Sequence, residues 1–261
     1  MLASIQLSDL EVNVKSLYPF LRRVAAAVIV MAHAGAFAAS YDDALAPSGS
    51  ILVAATPADG FITRNESGLD AIFSQAGFAT SSIDIRFSAN QSIFNSSLLV
   101  LDEEADFATL AGLNSIPSPS VNIYFVDHIE WCGGLAPGII GCGFQPGNLI
   151  IVDSSWAANP SFGANLMAHE LGHNLNLAHF FGPANLMNPS ISASFALTAG
   201  QISTILISPL VQTDGAGKFI TINPVAVMAS AVPEPASWVL MLAGGALILL
   251  AARKRHAASV T

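Results

Sequence analysis

The stretch Met167–Ser190, MAHELGHNLNLAHFFGPANLMNPS, sets three histidines and a glutamate at chemically usable spacings. On an α-helix, positions i and i+4 lie on one face, so His169 and His173 point the same way and can share one ion. Imidazole nitrogen binds zinc at about 2.0–2.1 Å. Glu170 adjoins the first of these ligands, where a carboxylate can reach a water on the ion. It therefore reads as a general base and not as a ligand. A catalytic zinc site takes three protein ligands and keeps one position open, and His179 is the natural third. His179 lies six residues beyond His173 and cannot share its helical face, so the chain must turn first. Asn176 stands where the turn is required, and Asn is among the few non-Gly residues that tolerate the left-handed conformation. A helix is expected from about Pro160 to Leu175, with Pro160 suited to the first helical turn.

Outward from this stretch, short apolar and alternating runs read as strands, and runs with helical spacing as helices. Strands are expected at Ile51–Thr56, Ile83–Ser88, Ser97–Leu101, Val121–Asp127 and Asn148–Ser154. Further helices are expected at Glu66–Ala76, which Gly77 stops, and at Asp102–Leu113, whose acidic first turn suits the helix dipole. Another is expected at Ala199–Ile207 with Thr198 as its N-cap. Residues 213–231 read as a connector with room for one strand at FITIN. Strands mixed with helices, and a C-terminal part of helix and loop, predict an α/β or α+β domain of roughly 170 residues, here residues 40–212.

The histidine stretch resembles the metzincin zinc metalloproteases, whose motif is His-Glu-x-x-His-x-x-Gly-x-x-His followed by a Met-turn. Every motif position matches except the glycine, which is Asn176, and Met187 in ANLMNP looks like the Met-turn methionine. The gap of eight residues between His179 and Met187 resembles the matrixin branch, as does the following ALTAGQISTIL. The resemblance implies a zincin-like domain with a mixed twisted sheet, an active-site helix and a C-terminal helix. It implies one catalytic Zn2+ on His169, His173 and His179, Glu170 as the catalytic residue, Met187 as structural packing beneath the site, and a protein or peptide substrate. It also implies that NLIIVDS is the edge strand beside the substrate cleft. Two family features are missing: a cysteine-switch motif, and a tyrosine after the Met-turn methionine.

The two ends carry separate signals. Arg22 and Arg23, the apolar Val24–Ala34 and the small-residue site Ala36-Phe37-Ala38 have the layout of a secretory signal peptide, expected over residues 1–38 with the cut after Ala38. At the other end Val-Pro-Glu-Pro, an apolar run Trp238–Ala252 and the basic Arg253-Lys254-Arg255 resemble the PEP-CTERM sorting signal of Gram-negative bacteria over residues 232–256. That resemblance implies export, handling by an exosortase, and a cell-surface or extracellular location. Trp238–Ala252 is also expected to be a C-terminal transmembrane helix at the short end of the roughly 17–25 residues that span a bilayer, anchoring the protein transiently in the membrane.

Between Ser40 and Val232 there are fifteen acidic residues against three basic ones (Arg64, Arg86, Lys218), a balance of −12. Such a domain repels nucleic-acid phosphates, so nucleic acid is excluded as a partner. The two cysteines, Cys132 and Cys142, lie in the Gly-rich WCGGLAPGIIGC. In an exported chain this pair reads as a disulfide, and neither sits at Cys-x-x-Cys spacing for a metal. Two other functions stay open beside a zinc endopeptidase: a surface-anchored structural or matrix protein whose zinc is non-catalytic, and a zinc hydrolase of non-peptide, cell-wall amides.

Overall fold

The computed structural model describes residues 41–47, 59–113, 117–135 and 137–229. The expected signal peptide and the expected strand at Ile51–Thr56 lie outside them. The strands are β1 (Tyr41–Leu45), β2 (Ile83–Phe87), β3 (Gln91–Phe94), β4 (Val100–Leu101), β5 (Val121–Val126), β6 (His128–Ile129), β7 (Ile139–Phe144), β8 (Leu149–Asp153), β9 (Gln212–Asp214) and β10 (Gly217–Met228). The helices are α1 (Glu66–Phe73), α2 (Glu104–Leu113), α3 (Ser154–Ala157), α4 (Gly163–Asn174) and α5 (Ala199–Leu206). The result is a mixed α/β sheet with helices.

Eight strands form one sheet in the order β1-β7-β8-β5-β10-β2, with β3 and β9 also on β10. β8, β5, β10 and β2 run parallel, whereas β7 is antiparallel to β8 and β1 antiparallel to β7. β5, β7 and β8 are buried along their whole length, as apolar runs without alternation require when both faces are covered. On one face lie α1, α4 and α5, packed through Leu69, Ile72, Phe73, Leu166, Leu171 and Ile205. On the other lie α2 and the small parallel pair β4–β6, packed through Phe107, Leu110, Leu101 and Ile129.

Most of the segment read as a connector is instead β10, the longest strand among the described residues. β10 pairs with β5 on one side, and with β2 and then β3 on the other. Pro224, which has no N–H, faces Ile123 of β5 and falls between the β2 and β3 pairings, where no ladder bond to them is lost. Asn223 beside it is fully buried. It donates to Asn122 Oδ1 at 3.0 Å and accepts from Ser88 Oγ and Gln91 Nε2, both at 3.0 Å. A polar residue in an apolar run had disguised a central strand as a linker.

Two further corrections follow. NLIIVDS is not an edge strand, because β8 lies between β7 and β5. The strand next outward is β7 (IIGCGF), which continues from the Gly-rich WCGGLAPGIIGC. The expected transmembrane helix is also corrected. Among the described residues no helix is long and apolar enough to cross a membrane. The twelve residues of α4 would span only about 18 Å, against a hydrocarbon core of about 30 Å. Trp238–Ala252 itself lies outside the described residues.

Candidate metal centre

Helix α4 carries the motif, and eleven of its residues are buried. A helix buried on all sides is ordinarily apolar, so the polar residues within this one need partners. Asn165 Nδ2 donates to Ser192 O at 2.7 Å, and Asn174 Nδ2 to Phe144 O at 2.8 Å and Leu149 O at 3.0 Å. These bonds hold one end of α4 to the loop after Met187 and the other end to the sheet.

The helix ends as a left-handed stop. Leu175 is its C-cap and Asn176 follows with φ 69°. Asn176 N–H donates to His173 O at 2.8 Å and Leu177 N–H to Gly172 O at 2.9 Å, the paired bonds of a Schellman motif. Asn176 thus does here what a glycine would do with less strain. The reversal returns the chain over α4 and brings His179 to the other two histidines.

His169, His173 and His179 form one group that could hold a metal ion, with one ligand atom from each lying within 4.8 Å of the others. The Nε2 atoms of His169 and His173 are 3.1 Å apart, and those of His169 and His179 are 3.3 Å apart. Imidazoles at zinc–nitrogen distance in a tetrahedron would set their nitrogens about 3.3 Å apart, so the spacing fits one ion. His169 Nδ1 lies 2.8 Å from Leu186 O and His173 Nδ1 lies 2.8 Å from Leu177 O. A carbonyl only accepts, so both Nδ1 atoms carry the proton and both Nε2 atoms present a lone pair. The tautomers needed for metal binding are therefore set by the backbone.

Glu170 is fully buried, and its carboxylate faces β7 at two glycines. A Cβ at Gly141 would collide with Glu170 Oε1. One at Gly143 would come within 3.0 Å of Glu170 Oε2 and 3.3 Å of His173 Cβ. The missing side chains are what let the helix and its carboxylate approach the strand. A β-bulge puts Gly141 on that side: Ala44 pairs with Gly141 and Leu45 with Ile139, so Ile140 is passed over.

Met187 is fully buried beneath α4, where a Cβ at Gly172 would meet its Cε at 3.0 Å. Phe180 N–H donates to Met187 O at 2.7 Å, which ties the residue after His179 to that turn. Asn185 accepts from Met187 N–H at 2.9 Å and exchanges side-chain bonds with Gln201. Gln201 also closes the capping box with Thr198 at the start of α5. Cys132 and Cys142 are joined by a disulfide on the face of β7 away from α4. A cavity of about 440 Å³ lies between the C-terminal ends of α4 and α5, but no histidine or carboxylate lines it.

Sequence reasoning missed the carbonyls of Leu177 and Leu186, the two glycines of β7 and the pairing of β1. The alternation of Gly141 and Gly143 about Cys142 was the one available signal.

Comparison with known families adds one finding. Residues 231–255 match the PEP-CTERM protein-sorting motif. The motif implies exosortase-linked sorting and export to the surface, and it begins three residues after β10 ends. It covers the C-terminal end alone. No curated protein matches the chain, and no solved structure does. The membrane as a partner, and the transient anchoring read from the apolar run, are corrected on the finding that no described helix can span a bilayer.

Proposed function

We propose that the protein is a zinc-dependent endopeptidase exported to the cell surface. One observation carries this reading: three imidazole Nε2 atoms converge at the spacing of one ion, on the helix that also carries the buried Glu170. The metzincin-like order of the residues supports it, as does Met187 packed beneath α4. An all-imidazole donor set suits zinc, and three ligands leave a position open.

His169, His173 and His179 would hold the ion. When bound, zinc supplies Lewis acidity toward a substrate carbonyl and lowers the pKa of a water. Glu170 accepts the proton at its carboxylate as water adds to the peptide carbon, then returns it to the leaving amine nitrogen. No side chain becomes acylated. Seated against Gly141 and Gly143, the carboxylate is positioned before substrate arrives, which lowers the cost of orienting it. The exposed Phe180 and Phe181 next to His179 supply an apolar rim for substrate side chains.

The test compares zinc content and casein cleavage of the purified chain with its Glu170→Gln variant. Bound zinc in both, with chelator-sensitive cleavage in the wild type alone, is expected. Undiminished turnover in zinc-loaded Glu170→Gln would remove Glu170 as the base. Bound zinc without cleavage in either would leave a surface protein with non-catalytic metal.

A further inference from the structure

The sheet edge nearest Glu170 is not open. β1 lies on β7, with Asp42 opposite Gly143 and Ala44 opposite Gly141, the two glycines that face the Glu170 carboxylate. Its other side is also held. Leu45 N–H donates to Pro189 O at 2.8 Å, Ile191 N–H donates to Leu45 O at 3.1 Å, and Leu45 bridges Ser190 in parallel. Ala46 N–H donates to Gly138 O at 2.8 Å.

β1 therefore runs between two rails. One is β7, against Glu170 and His173. The other is the strand-like segment that begins three residues after Leu186, whose carbonyl holds His169. His173 lies against the first rail and His169 is held beside the second, and β1 also packs on α4. An extended peptide recognises a sheet edge by adding a strand to it, with main-chain bonds giving affinity. β1 has that form already, antiparallel to β7 along its length and bonded through the Leu45 backbone to the second segment.

Building on the peptidase reading, we propose that Tyr41–Leu45 is a built-in occupant of the substrate groove, which an extended peptide must displace to reach the metal centre. The occupant is this chain's own N-proximal segment. Tethering raises its effective concentration to about the millimolar range, so modest backbone pairing is enough to hold it. Ala44 is fully buried opposite Gly141, which leaves no room there for a larger side chain.

The test uses the intact chain, a variant lacking Tyr41–Ala46, and Ala44→Glu, which expels the strand without shortening the chain. Both variants should cleave casein about tenfold faster than the intact chain, or more. A synthetic peptide of residues 40–47 (SYDDALAP) should bind the truncated chain, slow its cleavage and leave the intact chain unaffected. Amide exchange at Gly141 and Gly143 should quicken on truncation and slow again with the peptide. Equal cleavage by all three zinc-loaded forms would overturn the proposal and leave the peptidase reading standing. If none of the zinc-loaded forms cleaves, the peptidase reading fails. Peptide binding and exchange then decide β1 alone: binding only to the truncated chain sustains it as the occupant of the edge, and its absence overturns it.

Discussion

On the face of β7 turned away from α4, Cys142 packs with Ile139, Phe144 and Ile151 and is bonded to Cys132. On the face turned toward α4, Gly141 and Gly143 present no side chains, and the Glu170 carboxylate and His173 fill the space. One strand is thus pinned by bulk and a covalent tie on one side and emptied on the other. The emptied side lets a buried carboxylate sit against backbone. The pinned side keeps the strand from following that carboxylate or swinging away from it.

The largest expected effect falls on the emptied side. Glu170→Gln should lower turnover about 10²–10⁴-fold while zinc content stays at the wild-type level, measured by metal analysis and peptide hydrolysis on one sample. His179→Ala should weaken zinc binding by more than about 100-fold in a competition titration, because loss of an outer-sphere partner alone costs 10–100-fold. Zinc affinity unchanged in that variant would show that His179 is not the third ligand.

The pinned side comes next. Cys132→Ser should cost about 2–3 kcal/mol in denaturant unfolding, the cross-link closing a short loop of ten residues' separation. The comparison is broken if this change abolishes zinc binding, since the tie would then be building the metal centre itself. Gly143→Ala sharpens the contrast from the opposite direction. Its Cβ would meet Glu170 O at 2.8 Å, so a loss of about 1–3 kcal/mol and a slower turnover are expected. The smallest effect belongs to the helix stop. Asn176→Gly should match or slightly exceed wild-type stability, whereas Asn176→Ala should lose about 1 kcal/mol, because at φ 69° Asn is better tolerated than other residues that carry a Cβ. An Ala variant as stable as wild type would show that the turn is imposed from outside.

How much could be read in advance follows the range of the interactions. The spacing of His169 and His173 is a property of one helix, and Thr198 as the N-cap of the Ala199 helix is a property of one turn, so both were visible locally. Asn176 could be singled out because the left-handed conformation admits few residue types. β10 was missed because Asn223 and Pro224 interrupt its apolar run, and their acceptability depends on Asn122, Ser88 and Gln91, all far away in the chain. β8 was misassigned to the edge because strand order is not written in strand composition. The metal-binding tautomers of His169 and His173 were equally out of reach, since they rest on two carbonyls whose positions only folding supplies.

By itself the sequence determined which residues could meet at a metal: helical periodicity puts His169 and His173 on one face, and the Asn176 turn permits His179 to return. It also determined the sorting motif at residues 231–255, a short signal recognised by its own order of residues. Only the tertiary structure decided that the last strand of the described chain is central, that glycines of β7 cradle Glu170, and that β1 lies along the edge beside them. Those outcomes are pairings between residues distant in sequence. The pattern of a single strand says which face is buried, and the folded sheet alone says which neighbour buries it.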